Sequence, residues 1–127
     1  MEEKKNFYEI IEQICAGDER YKPDSYEFVM EAIRFTQGKL KREGHVSGKE
    51  LLEGIRELAI SKFGTFAKPV LNHWGVTKTQ DFGNIVFIMI AHKVLYGTEQ
   101  DSLDDFKDVY NFEEVFKTGL PDTLTIE

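Results

Sequence analysis

The chain holds one cysteine, Cys15, so no internal disulfide can form and the fold must stand without covalent staples. Three prolines and no Pro-, Gly- or Ser-rich stretch leave nothing that reads as a linker between domains. The longest uninterrupted apolar run, residues 85–91, is far short of the roughly 20 residues that a membrane-spanning helix needs. No apolar core of a signal peptide follows the opening Met-Glu-Glu-Lys-Lys, so the expected setting is cytoplasmic and reducing, with no membrane partner. The three histidines, His45, His73 and His92, have no His, Cys or carboxylate three or four residues away, the spacing of a helical metal site. Neither a metal nor another cofactor is expected. The clustered carboxylates at Asp101, Asp104, Asp105 and Asp108 lack the alternating ligands, turn glycine and terminal Glu of a calcium loop. Basic residues are scarce where a DNA-reading helix would have to lie, since residues 82–95 contain only Lys93, and nucleic acid is therefore not an expected partner.

Apolar side chains are plentiful. With 127 residues, 41% of them hydrophobic, and ten phenylalanines, the chain can bury one substantial core. Charge is unevenly placed: residues 1–96 carry 14 acidic and 14 basic side chains, whereas residues 97–127 carry nine acidic and two basic, which accounts for the net −7. A polyanionic end repels nucleic acid and anionic lipid and attracts basic surfaces.

Periodicity predicts helices throughout. Phe7, Ile10, Ile11, Ile14 and Cys15 share one face behind an Asn6 cap, with Gly17 as the stop. Asp24 or Ser25 opens a second helix that carries Val29, Ile33, Thr36 and Leu40 and ends near Gly44. Ser47 and Glu50 form a capping box at the start of a third, running to Gly64. Thr65 is read as the cap of a short helix bearing Phe66, Val70, Leu71 and Trp74. Residues 82–95 are apolar on nearly every side; periodicity alone does not separate a buried helix from a strand there, and length favours the helix. Ser102 with Asp105, and Asn111 with Glu114, mark two short C-terminal helices. The expected fold is all-α: a compact single-domain bundle of five main helices plus one or two short C-terminal ones, with the acidic segment at 97–127.

Two clusters are candidates for function, and no catalytic constellation is visible. Lys39, Lys41, Arg42, His45, Ser47, Gly48 and Lys49 surround the start of the third helix, where free N–H groups and the dipole favour an anion; Arg56 is close enough along the helix to join them. Glu50 competes for the same positive end. In the acidic segment, Asp101, Asp104, Asp105 and Asp108 alternate with Phe106, Tyr110 and Phe112, which either pack on the body or anchor a partner. The leading expectation is a non-enzymatic interaction module whose acidic aromatic segment meets a protein with a basic surface. The alternative is a small anionic-ligand binder or weak enzyme at residues 39–49. Homodimerisation through the face near Trp74 is a further expectation.

The strings YKPDSYEFV, HVSGKELLEGIRELA, WGVTKTQDFGNIVF and DDFKDVYNFEEVF, at residues 21–29, 45–59, 74–87 and 104–116, together resemble a small bacterial family found in Planctomycetes and Verrucomicrobia. The resemblance implies a bacterial, non-secreted protein. It implies no activity, and no functional residue is carried over from it.

Overall fold

A computed structural model describes residues 6–97 and 101–117. Among them there is no strand, and the helices run α1 Phe7–Gly17, α2 Pro23–Leu40, α3 Gly48–Phe63, α4 Ala67–His73, α5 Thr79–Ala91 and α6 Phe112–Val115, with 3-10 turns at Gly64–Phe66 and Leu103–Phe106. The all-α architecture of five main helices and short C-terminal elements is therefore the one the periodicity predicts.

Local signals set most of the starts. The Asn6 side chain accepts from the Glu9 N–H (2.9 Å) to open α1. In α3, Ser47 Oγ accepts from the Glu50 N–H (3.1 Å) while the Glu50 carboxylate accepts from the Ser47 N–H (2.8 Å), the reciprocal box the sequence predicts. Asn111 accepts from the Glu113 N–H (2.7 Å) to open α6. Thr65 is not a cap: it lies inside the 3-10 turn that joins α3 to α4, and Phe66 beside it is 67% exposed rather than part of the core.

Two stops fall earlier than expected, for one reason. Helix α2 ends at Leu40 instead of near Gly44, and α5, which opens at Thr79, ends at Ala91 instead of running on to 95. At each stop a lysine, Lys41 or Lys93, adopts the left-handed conformation usually given to glycine (φ 52° and 60°). The closing bonds are those of a Schellman turn: Lys41 N–H to the Gly38 carbonyl and Arg42 N–H to Gln37, then Lys93 N–H to Ile90 and Val94 N–H to Met89. Gly75 closes α4 in the same way, at φ 91°, and a Cβ there would sit 2.2 Å from the Arg20 carbonyl oxygen.

One core runs through the molecule, with Tyr26, Val29, Leu52, Ile55, Leu71, Phe82, Ile85 and Met89 among its fully buried members. The pairing of α2 with α3 is the most extensive, and it is close because Gly54 lies against Thr36, where a Cβ would come within 1.8 Å of the threonine oxygen. Trp74 packs inward, its ring centroid 5.6 Å from Phe28 and 5.7 Å from Phe63. Asp81 ties the start of α5 to the loop before α2: it accepts from the Tyr21 hydroxyl (2.7 Å) and from the N–H groups of Thr77 and Lys78. Burial and that carboxylate push Tyr21 up to about 12. Cys15 is half-buried, its thiol raised by burial and by Asp18, which keeps it neutral and structural.

Candidate functional site

The basic loop between α2 and α3 is largely neutralised from within. Lys39 pairs with Glu57 of α3. Arg42 grips the Glu50 carboxylate with both terminal nitrogens (3.0 and 2.8 Å) and also donates to the His45 carbonyl (3.2 Å). Arg42 and the Ser47 N–H together hold the Glu50 carboxyl down to about 2. The positive end of α3 therefore already has its anion. Lys41 and Lys49 are exposed and make no ion pair among the described residues, and Arg56 is paired with Glu53 of its own helix (3.7 Å). Gly48, expected to give a ligand access to backbone, instead admits Phe106, whose ring carbons lie 3.0–3.1 Å from where a Cβ would stand. As an anion site, the cluster of Lys39, Lys41, Arg42, His45, Ser47, Gly48 and Lys49 has its strongest donors engaged.

The acidic segment folds back onto the body. Phe106 and Phe112 are buried, as is Phe116, and Phe112 meets Phe82 of α5 (6.0 Å) and Phe116 (5.0 Å) in one aromatic cluster. The Tyr110 hydroxyl donates to the Leu52 carbonyl (2.8 Å), and burial raises its pKa. The Thr79 hydroxyl donates to the Phe106 carbonyl (2.5 Å) and accepts from the Val109 N–H (3.2 Å). Phe106 and Phe112 are thus part of the core and Tyr110 is half-buried against it, the packing alternative of the two that the sequence leaves open. The carboxylates face outward to differing degrees. Asp104 and Asp108 are exposed, Asp108 accepting from Gln80 (3.1 Å), while Asp105 accepts from the Ser102 N–H (3.3 Å) in a second capping box. Asp101 turns to the loop instead, its Oδ1 lying 3.0 Å from His45 Nε2.

Between these parts lies a half-open pocket of about 360 Å³. Its floor is α5, from which Val86, Phe87 and Ile90 enter; Ile33 and Gln37 of α2 and Leu51 of α3 form the walls, and His45 and Asp101 stand at the mouth. The volume falls within the range of small-molecule pockets, and the mostly apolar lining with a few polar groups is their usual composition. The sequence names His45, Ser47, Gly48, Asp101 and Phe106 of this lining but misses Gln37 and the whole α5 floor. A signal was present: a helix apolar around most of its circumference buries more than one face, and here one face is the core and the other the pocket.

No cluster of three metal-ligating side chains occurs among the described residues, and none of their helices is long and apolar enough to cross a membrane. No family model matches the chain, and neither does any curated protein or solved structure.

Proposed function

We propose that the protein is a non-enzymatic binding module that takes a small, largely apolar molecule into the pocket between α2, α3 and α5. The observation that carries this reading is the pocket itself: about 360 Å³ of apolar-walled space in a core otherwise packed closely enough to require Gly54 and Gly83. Ser47 also lines it, yet its oxygen is held as the cap of α3, and His45 is paired with Asp101, which supports binding over chemistry. Titration with benzene and with indole, read by backbone amide shifts, tests it. Saturable shifts confined to Ile33, Leu51, Val86, Phe87 and Ile90 are expected; shifts scattered over the surface, or none, refute the pocket reading.

A second reading is favoured by the exposure of Asp104, Asp108, Glu113 and Glu114 on the outer side of the C-terminal segment. With the aromatics turned inward, this face would meet a basic protein surface by charge alone, in a contact weakened by salt. Affinity purification from a native host, comparing the natural chain with Asp104→Asn/Glu114→Gln, should lose a specific partner in the variant. Equal recovery removes this reading. The half-buried neutral thiol of Cys15 suits a reducing compartment, which supports a cytoplasmic site of action.

A further inference from the structure

We infer that the ligand of the pocket is an aromatic ring seated between Phe87, Phe106 and Tyr96, with Tyr96 as the residue that covers it. This rests on the pocket reading above. Three aromatic side chains take part in the lining, and they come from three stretches of chain: Phe87 from the α5 floor, Tyr96 from the turn beyond α5, and Phe106 from the C-terminal segment. None of the three makes a ring–ring contact with another aromatic residue among the described residues. Elsewhere the rings pair: Phe28, Phe63 and Trp74 form one group, and Phe82, Tyr110, Phe112 and Phe116 form another. Tyr96 is also the most exposed large apolar side chain among the described residues, at 91%.

Rings gain from one another beyond the area they bury, through edge-to-face and offset contacts at centroid separations of about 4.5–7 Å. The pocket, about 360 Å³, stands near the lower end of small-molecule sites, so one ring or a fused pair seated in it lies close to every lining side chain. Such a ring would supply the partner that Phe87, Phe106 and Tyr96 lack, whereas an aliphatic chain would supply burial alone. The adjoining stretch of the same groove already takes an aromatic ring, that of Phe106, against Gly48 of α3 and Gly83 of α5. Exposed side chains change rotamer within ps–ns, so Tyr96 is free to turn over the mouth once a ring is seated, burying its apolar face and keeping its hydroxyl in water. The class is therefore a compact mono- or bicyclic aromatic molecule.

Dissociation constants of toluene and methylcyclohexane, two rings of similar size, read by amide shifts at Val86 and Ile90 in the natural chain and four variants, test the inference. Water rejects the two hydrocarbons unequally, so the quantity compared is the ratio of their constants from chain to chain. Tyr96→Leu keeps an apolar cover and removes the ring; it is expected to weaken toluene about threefold relative to methylcyclohexane. Phe87→Leu should move the ratio in the same direction, with persisting methylcyclohexane binding as the sign of an intact pocket. Tyr96→Phe should keep the natural ratio, and so should Phe66→Leu, which removes an exposed ring outside the lining. In the natural chain, bound toluene should give nuclear Overhauser contacts to the Tyr96 ring. An unchanged ratio in Tyr96→Leu, or no contact to that ring, refutes the aromatic inference and leaves the pocket reading standing. An equal change in Phe66→Leu would mean adsorption to the surface and overturn the inference too. Absence of saturable shifts with either compound refutes the pocket reading itself.

Discussion

One stripe of α5 meets two different surroundings. At Gly83 the groove is filled by the chain's own Phe106, whose Cβ and ring atoms lie 2.8–2.9 Å from where an alanine methyl would stand. One and two turns further along, Val86, Phe87 and Ile90 continue the same stripe, and there the groove widens into the pocket. The α3 side repeats the contrast, with Gly48 against Phe106 and Leu51 reaching the pocket. The lesson concerns residue size. Where the helices carry glycine, an aromatic ring from a distant segment can enter; where they carry larger side chains, the same groove holds space that no described side chain fills.

Substitutions at the two stations should behave in opposite ways. Phe106→Ala removes the plug and is expected to cost about 3–5 kcal/mol, read by denaturant unfolding, with amide protection of residues 101–117 lost before that of α2 and α3. Gly83→Ala overfills the plugged station. Overpacking costs typically about 1–3 kcal/mol, and the gain of about 1 kcal/mol in helix propensity offsets part of it, so a net loss near 1 kcal/mol is expected. At the open station the same kind of enlargement should be benign: Val86→Leu is expected to leave stability unchanged to within about 1 kcal/mol while weakening benzene binding at the pocket. A large loss from Val86→Leu would mean that the two stations are equally packed and would dissolve the contrast.

Acid provides the mildest probe. The folded Glu50 carboxyl sits at about 2 against an ordinary 4.5, held down first by Arg42 and then by the Ser47 N–H. A group whose folded value is depressed stabilises the fold above its ordinary value and loses that contribution as pH falls toward the folded one. As pH falls from 4.5 toward 2 that contribution should therefore be lost, the Ser47 and Glu50 amides shifting as the carboxyl protonates, while core amides with no carboxylate in contact, such as those of Val29 and Leu71, stay unchanged. Simultaneous change at both would show global acid unfolding instead of a local loss at the start of α3.

The helical architecture was legible because its signals are short-range. Asn6, Ser47 with Glu50, and Asn111 sit within three residues of the N–H groups they cap, and the structure uses each as the sequence suggests. The stops of α2 and α5 were not legible, because Lys41 and Lys93 take a left-handed conformation that composition assigns to glycine. The sites were harder still. That Arg42 would neutralise Glu50, or that Asp101 would reach His45 from 56 positions away, depends on tertiary placement that no local pattern encodes. The acidic aromatic segment misled for the same reason. Its alternation of Asp with Phe is what a docking peptide shows, and the partner that buries its aromatics is the chain itself.

The grip of Thr79 has a consequence for how this surface can change over generations. Its hydroxyl holds the Phe106 carbonyl and the Val109 N–H, and Tyr110 holds the Leu52 carbonyl, so each of these bonds ends on main chain. Main-chain groups are the same whatever side chain a position carries. Lys107, spanned by the Thr79 clasp and exposed, is therefore released from any part in that clasp, whereas Asp108 stays tied to Gln80 and holds a left-handed backbone (φ 49°). Lineages can rewrite the charge of the outer face at Lys107 by neutral drift while the inner face stays seated.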